Sequence, residues 1–167
     1  MTAVAPVIVI RPAVVADAGR ILAFIRELAE YEKLSHEVVA DESGLVTQLF
    51  GERPRAEVLI AEVDGVPAGF ALFFHNFSTF LGKPGLYLED LFVRPAFRSH
   101  GLGKRLMLRL AQIAVERDCG RFEWSVLDWN QPAIDFYRSL GAVGMDEWTA
   151  QRVSNDALRA LAVKAPD

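Results

Sequence analysis

Apolar residues in the first third of the chain recur at spacings that predict one short strand followed by two helices. Val7–Ile10 is a β-branched run and predicts the first strand. The apolar positions that follow have helical spacing, which predicts a helix with Asp17 as its N-cap and an end near Glu32. A second helix is predicted over Glu42–Phe50, closed by Gly51.

A hairpin and a further strand are predicted in the middle of the chain. The strand-like segments Glu57–Val63 and Pro67–His75 flank the dipeptide Asp64-Gly65, which is typical of tight hairpin turns. Phe77–Gly85 contains two glycines and a proline and is therefore predicted as a loop. The apolar run Leu86–Val93 predicts the next strand.

The C-terminal half is predicted to alternate helices and strands. Leucines on one face and charges on the other predict a long helix over Gly101–Arg117. A strand over Arg121–Leu127 precedes a helix over Gln131–Leu140, with Asn130 as its N-cap and Gly141 at its C′ position. Short strands at Gly141–Gly144 and Glu147–Val153 and a terminal helix at Asn155–Val163 follow. The order β-α-α-β-β-β-α-β-α-β-β defines a mixed α/β (α+β) fold.

Length and composition favour one globular domain. The chain has 167 residues, of which 51% are hydrophobic, and this excludes a disordered protein. We expect a single domain over 1–167, with residues 1–6 as a flexible N-terminus. The net charge of −4 gives no electrostatic case for nucleic acid and mildly favours cationic partners. No apolar run is long enough for a membrane span, and Met1–Ile10 lacks the features of a signal peptide, so a cytoplasmic location is the default.

Cysteine and histidine offer little chemistry in the sequence. Cys119 is the single cysteine, which excludes an intrachain disulfide. His36, His75 and His100 are far apart and lack ligand spacing, so no metal site is predicted. No histidine lies near Cys119 in the sequence to activate it, and we do not expect Cys119 to act as a nucleophile.

The stretch Leu91–Lys104 carries the most informative motif. A strand-like run is followed by Arg98 and then by Gly101 and Gly103 at the start of a helix. Free N–H groups at a helix start bind anions, and glycines let a diphosphate approach the backbone closely. The stretch has too few glycines for a dinucleotide fingerprint, and Arg105 stands where a nucleotide P-loop needs a hydroxyl. By itself the remaining pattern, R-x-x-G-x-G, fits both a diphosphate site and a plain helix start.

This pattern resembles the acetyl-CoA pyrophosphate loop of the GNAT acyltransferase superfamily, and the predicted element order is the order of that superfamily. Leu86–Val93 resembles its fourth strand, and Asp128–Ala142 resembles its N-x-x-A-x-x-F-Y-x-x-x-G-A block. Within the superfamily the chain is similar to the diamine (spermidine/spermine) acetyltransferases and their thialysine-acetylating relatives. The stretches that carry this similarity are Ile10–Ala13, Glu27–Glu32, Leu86–Asp90 and Val126–Asn130. The resemblance implies a mixed, mostly antiparallel central sheet flanked by helices, and a homodimer.

Three features depart from the polyamine branch and leave the amine open. Phe80 stands where polyamine enzymes often have a tryptophan beside the substrate. The hairpin at Asp64-Gly65 is short, and Val126–Asn130 is more similar to the thialysine branch.

The resemblance implies direct transfer of an acetyl group from acetyl-CoA to a small cationic amine. Tyr137 would be the general acid that protonates the leaving thiolate, since a phenol stays protonated near neutral pH. Glu89 would help to remove the ammonium proton and Asp90 would hold the cationic substrate. Strand alternation predicts that these neighbours point to opposite faces. Tyr31 and Glu32, at the end of the first helix, would form a second amine-binding site.

The resemblance also implies the residues that hold acetyl-CoA. Main-chain groups of the fourth strand would bind the pantetheine arm, and the glycine turn would cradle the pyrophosphate. Asn130 has two roles that can coexist, N-cap and cofactor contact. The predicted cofactor set is Leu91, Phe92, Val93, Arg98, Ser99, His100, Gly101, Leu102, Gly103, Lys104, Asn130, Pro132, Ala133 and Tyr137.

Alternative interpretations remain open from sequence alone. Tyr137 is also consistent with an ordinary packing residue, Glu89 and Asp90 with salt bridges, and Glu32 with a solvated helix end. A catalytically idle acyl-CoA-sensing module would keep the glycine turn but not the acids and Tyr137. A protein or peptide N-acetyltransferase is a further alternative, because the sequence does not separate peptide amines from free ones.

Overall fold

Five strands form a mixed sheet in the computed structural model, which describes residues 4–164. The strands are β1 Ile8–Pro12, β2 Glu57–Val63, β3 Val66–Ser78, β4 Lys83–Val93 and β5 Arg121–Trp124. Their spatial order follows the chain, from β1 to β5. The first four strands pair antiparallel, and β5 pairs parallel to β4. The predicted mixed, mostly antiparallel sheet flanked by helices is confirmed.

Five α-helices accompany the sheet in the described residues. They are α1 Ala18–Tyr31, α2 Glu42–Phe50, α3 Leu102–Glu116, α4 Gln131–Ser139 and α5 Asn155–Ala162. Short 3-10 turns lie at Val15–Asp17, Ser35–Glu37 and Pro95–His100. No described helix is long and apolar enough to cross a membrane.

The chain divides into two compact units after Ser125. The first unit holds the sheet with α1, α2 and α3, and the second holds α4 and α5. The predicted flexible N-terminus, residues 1–6, lies partly outside the described residues, and residues 4–7 have no regular secondary structure.

The core of the first unit has two layers because the sheet buries both faces. On one face α1 and α2 pack their apolar stripes against the sheet, and the rings of Phe24 and Phe70 stack at 5.3 Å. The residues buried there include Ile21, Phe24, Leu28, Leu49, Val58, Ile60, Phe70 and Phe92. The alternate strand positions face α3, which packs against β2, β3 and β4. Because both faces are buried, the long strands have nearly continuous apolar sequences.

Several elements lie where short-range features of the sequence predicted them. The Asp64-Gly65 turn has positive φ at both residues, 50° and 78°, as a two-residue hairpin of this type requires. Helix α2 has the predicted bounds, and Asp41 caps it by accepting from Gly44 N at 2.6 Å. Gly141 has φ 92°, which confirms its predicted position after α4.

Other predictions are wrong in extent or kind. The predicted loop Phe77–Gly85 is mostly strand, because β3 and β4 continue to a four-residue connection. Gly85 lies opposite Asn76, where a Cβ atom would collide with the Asn76 amide, so this glycine marks a close approach and not a loop. The two predicted final strands, at Gly141–Gly144 and Glu147–Val153, are not strands in the structure. No strand of the described chain pairs with either segment, and alternation without a pairing partner does not form a strand.

Asp17 occupies the predicted N-cap position of α1, but its side chain accepts no hydrogen bond from that helix. Asp17 is 1% exposed, and its carboxylate accepts from Val14 N at 2.8 Å and pairs with Arg11 at 2.8 Å and Arg20 at 2.6 Å. Arg11 also pairs with Glu62 at 2.8 Å. The carboxylate therefore joins β1, β2 and the start of α1, and the hydrogen bond from Arg11 holds the pKa of Asp17 well below its usual range.

Candidate active site

The second half of β4 has an open edge. Strand β5 pairs with β4 from Gly85 to Leu88 and ends at Trp124, whereas β4 continues to Val93. From Asp90 to Val93 β4 keeps β3 as its partner, and no other strand in residues 4–164 pairs with its free edge. Free main-chain N–H and C=O groups on such an edge can bind an extended ligand as a strand would. The predicted pantetheine-binding residues, Leu91–Val93, lie there.

A β-bulge at Glu89 changes the direction of the side chains on this strand. Leu72 of β3 pairs with Asp90 and Phe73 pairs with Leu88, so Glu89 is the extra residue. Leu72 packs on the α1 side of the sheet, and its partner Asp90 shares that face. Leu88, opposite Phe73, lies on the α3 side, so alternation from Leu88 also puts Glu89 on the α1 side. The predicted opposite orientation of Glu89 and Asp90 is therefore wrong.

Three carboxylates converge on the α1 side of the bulge. Burial, followed by the negative charges of Glu89 and Glu32, raises the pKa of Asp90 from 3.8 to about 6. Glu32 is the C-cap of α1, is half-buried, and has a pKa raised by its own burial. In the described chain none of the three forms an ion pair with lysine or arginine. Uncompensated carboxylates at one place fit the binding of a cation, and they do not fit the salt-bridge alternative for Glu89 and Asp90.

The turn after β4 and the start of α3 have the features of an anion site. Gly101 is the N-cap of α3, has φ 67° and offers no side-chain cap to the helix. A Cβ atom at Gly101 would meet nothing within 4 Å, so its backbone faces open space. The first turn of α3 contains no acidic residue and carries the exposed Lys104. Uncapped N–H groups, a helix dipole and a nearby lysine suit a diphosphate, so the residues present fit the predicted coenzyme.

Arg98 folds back onto the end of β4. Its Nε donates to Val93 O at 3.0 Å, and its guanidinium lies 5.2 Å from the ring centroid of Tyr31 and 5.8 Å from that of Phe92. His100 Nδ1 lies 3.2 Å from Phe97 O, which fixes the imidazole within the same turn. Leu102 is buried, so its side chain belongs to the core and does not face a ligand. The structure thus brings Tyr31, predicted for the amine, against an arginine predicted for the cofactor.

Arg94 organises the end of β4, a role that the sequence did not indicate. It follows β4 directly, pairs with Glu27 of α1 through both Nε and Nη2, and donates from Nη1 to Pro67 O at 3.0 Å. Its guanidinium lies 4.6 Å from the ring centroid of Phe24. These contacts fix the end of β4 to α1, and hence the carboxylates to the glycine turn. The sequence feature that could have indicated this role is the position of Arg94 between the end of a strand and Pro95.

The second unit carries the remaining predicted residues on one helix. Asn130 is buried and accepts from Ala133 N at 3.3 Å, which confirms it as the N-cap of α4. Pro132 is exposed in the first turn, while Ala133 and Tyr137 are half-buried. The ring of Tyr137 lies 5.3 Å from that of Phe136. Ala133 and Tyr137 are four residues apart and share a helix face, as predicted.

Folding brings a histidine to Cys119, which the sequence did not indicate. The Sγ atom lies 3.8 Å from His75 Nδ1. Arg117 Nη1 lies 2.9 Å from His75 Nε2, and because arginine can only donate, Nε2 is the acceptor. His75 Nδ1 therefore carries the proton and donates to Gly85 O at 3.1 Å, so it is not a base for the thiol. This cluster lies at the other end of the β4 pairing, roughly 25 Å along the strand from Val93.

Known proteins are similar to this chain in sequence and in fold. Residues 19–142 match the acetyltransferase (GNAT) family. The thialysine N-epsilon-acetyltransferase of Sus scrofa is 39% identical over 168 residues, covering 94% of this chain and 98% of that protein. The L-ornithine N5-acetyltransferase of Arabidopsis thaliana is 35% identical, covering 91% of this chain and 86% of that protein. An integron cassette protein from the mobile metagenome of V. cholerae has a structure with a TM-score of 0.79 at 28% identity, covering 95% of this chain and 98% of that one.

A mixed sheet with an open fourth strand, followed by a glycine turn at a helix start, defines an acyltransferase-type fold. The chain belongs to the acetyltransferase (GNAT) family, and it is an acetyltransferase. The predicted resemblance to thialysine and spermidine/spermine acetyltransferases is confirmed.

Proposed function

We propose that this acetyltransferase transfers an acetyl group from acetyl-CoA to the side-chain amine of a small cationic amino acid, of the lysine, thialysine or ornithine type, or to a related diamine. The observation that carries the proposal is the cluster of Glu32, Glu89 and Asp90, which has no basic partner in the described residues. The names of the relatives support it, because thialysine and ornithine both carry a primary amine on an aliphatic side chain.

Bound acetyl-CoA would supply an activated acetyl thioester. Main-chain groups of Leu91 and Val93, which strand alternation turns to the open edge of β4, would bind its extended arm, and those of Phe92 face β3. The N–H groups that follow Gly101 would bind the diphosphate, with Arg98 and Lys104 adding positive charge. Asn130, Pro132 and Ala133 remain predicted contacts from the second unit.

The carboxylates would bind the amine as a cation and then take its proton. Attack on the thioester needs a neutral amine, so the ammonium group must lose one proton first. Glu89, which is the exposed extra residue of the bulge, would accept this proton directly or through a water molecule. Asp90 and Glu32 would hold the second positive charge that a diamine or a cationic amino acid carries. Tyr137 would give a proton to the departing thiolate, and no covalent intermediate on Cys119 is needed.

Asp90 makes amine binding depend on pH. Below about pH 6 Asp90 is mostly protonated and no longer attracts a cation. The KM of the amine should therefore rise as pH falls through 6, while the affinity for acetyl-CoA stays nearly constant.

The resemblance also implies a homodimer, which light scattering on the purified protein would test.

An acceptor screen tests the proposed function. Thialysine, ornithine, lysine, spermidine and a panel of peptides with uncharged N-terminal residues would be compared by kcat/KM with acetyl-CoA. We expect the small cationic amines to exceed the peptides by tenfold or more, because one charge-assisted contact contributes about 1.5–3 kcal/mol. Preference for a peptide would support a protein N-acetyltransferase instead. Binding of CoA without turnover of any acceptor would support a sensing module.

A further inference from the structure

The contact between Tyr31 and Arg98 joins the two halves of the proposed site. Tyr31 is the last residue of α1, next to Glu32 of the carboxylate cluster, and Arg98 lies in the turn between β4 and α3. The distance of 5.2 Å between the guanidinium carbon and the ring centroid is within the roughly 6 Å over which an aromatic face attracts a cation. A residue on the amine side thus touches a residue of the cofactor turn.

The contacts that hold Arg98 differ in origin. Its Nε donates to Val93 O, and Phe92 is a buried residue of the same strand. Tyr31 instead comes from α1 and is 40% exposed. Its ring is therefore the contact that connects Arg98 to a different element of the fold.

Holding Arg98 in one place favours the binding of a diphosphate. An exposed arginine samples many rotamers, and ordering it on a ligand costs conformational entropy. The planar guanidinium loses less freedom when a ring and a carbonyl already fix it. The ring of Tyr31 would therefore favour binding of the cofactor's diphosphate, although the neighbouring Glu32 lies in the carboxylate cluster proposed to bind the amine.

We propose that Tyr31 is a positioning residue for the cofactor turn: its ring holds Arg98 at the end of β4, and it contributes to acetyl-CoA affinity through Arg98 without contacting the amine. The identity of the cofactor as acetyl-CoA rests on the proposed function. Tyr31 thus takes a role different from the amine contact that the family resemblance implies.

Variants of Tyr31 would be compared by calorimetric titration with CoA and by steady-state kinetics with the amine turned over best in the acceptor screen. Tyr31→Leu removes the ring and should weaken CoA affinity about two- to five-fold, the effect of an exposed cation–π contact. The KM of acetyl-CoA should rise equally, while kcat and the KM of the amine stay unchanged. Tyr31→Phe keeps the ring and should retain wild-type affinity. Phe77→Leu is the matched control, because Phe77 is an exposed aromatic at the other end of the β3–β4 pairing.

A double-mutant cycle identifies the route of the effect. In an Arg98→Gln background, Tyr31→Leu should have no further effect on CoA affinity. An equal loss with and without Arg98 would overturn the proposal, as would a rise in amine KM in place of the loss of CoA affinity. Arg98→Lys keeps the charge but not the planar group, and the effect of Tyr31→Leu should shrink in that background as well. Failure of the proposed function would look different, because the wild-type protein would then not bind CoA or would acetylate none of the amines.

Discussion

Asp90 should lower the stability of the folded protein at neutral pH, and replacing it should raise that stability. Burial and the charges of Glu89 and Glu32 raise the pKa of Asp90 by about two units, from 3.8 to about 6. One unit corresponds to about 1.36 kcal/mol, so an upper bound on the cost of the ionised carboxylate is about 3 kcal/mol. Because Asp90 is only half-buried and water screens part of its charge, we expect Asp90→Asn to raise the free energy of unfolding by about 1–2 kcal/mol.

The sign of the pH dependence follows from the raised pKa. Folded Asp90 holds its proton more tightly than unfolded Asp90, so its cost is fully present above about pH 6. The cost decreases as pH falls from 6 towards 4 and is absent below the unfolded pKa. The gain from Asp90→Asn should therefore be largest at pH 8 and clearly smaller at pH 4.5.

Urea unfolding at pH 8 and pH 4.5 would measure both quantities. Glu30→Gln is the matched control: it removes one negative charge from an exposed position of α1 and should change stability by less than about 0.5 kcal/mol. The same Asp90→Asn protein should show an amine KM raised about tenfold or more. No gain at pH 8, or an equal gain at both pH values, would refute the electrostatic reasoning. A stability gain with an unchanged amine KM would show that the carboxylate cluster does not bind the amine.

Three further changes test other parts of the site and fold. Tyr137→Phe should lower kcat by about 10²–10⁴-fold with little change in CoA affinity, and near-normal turnover in a chemistry-limited assay would leave Tyr137 as a packing residue. Gly101→Asp puts a negative charge against the expected diphosphate and should abolish measurable CoA binding by calorimetry, whereas Gly65→Asp, at a turn glycine of similar positive φ, should bind normally. Asp17→Asn breaks a buried ion pair and should cost about 3 kcal/mol in urea unfolding at pH 7. Since the pKa of Asp17 is depressed, this difference should shrink as pH falls below about 4, and a constant difference would contradict the role of its charge.

Elements with a strong local signal could be predicted from the sequence. Helix α2 and the Asp64-Gly65 turn depend on residues that are close in the chain, and both lie where they were expected. Strand extents depend on pairing with distant segments. Because that pairing is not visible in the sequence, a loop was predicted where β3 and β4 continue. For the same reason two final strands were predicted that have no partner in the described residues.

Contacts between side chains from distant parts of the chain could not be predicted from the sequence. Composition and spacing could not indicate that His75 approaches Cys119 or that Arg94 pairs with Glu27, since each pair joins elements far apart in the chain. Even with the histidine present, the donor from Arg117 fixes its tautomer and removes it as a base for the thiol. Proximity alone would therefore have suggested the wrong chemistry at this place.

The bulge at Glu89 shows why a sequence can suggest candidate site residues without giving their geometry. Two adjacent acids on a regular strand would lie on opposite faces, and only one of them could meet a substrate held on the α1 side. The bulge is a property of the register between β3 and β4, and it adds one residue to β4 alone. It therefore puts both carboxylates on the face where α1 ends in Glu32. A proton acceptor and a cation-binding carboxylate can then act on the same amine. If the register were regular, Glu89 and Asp90 could not share one substrate, and the proposed division of their roles would fail.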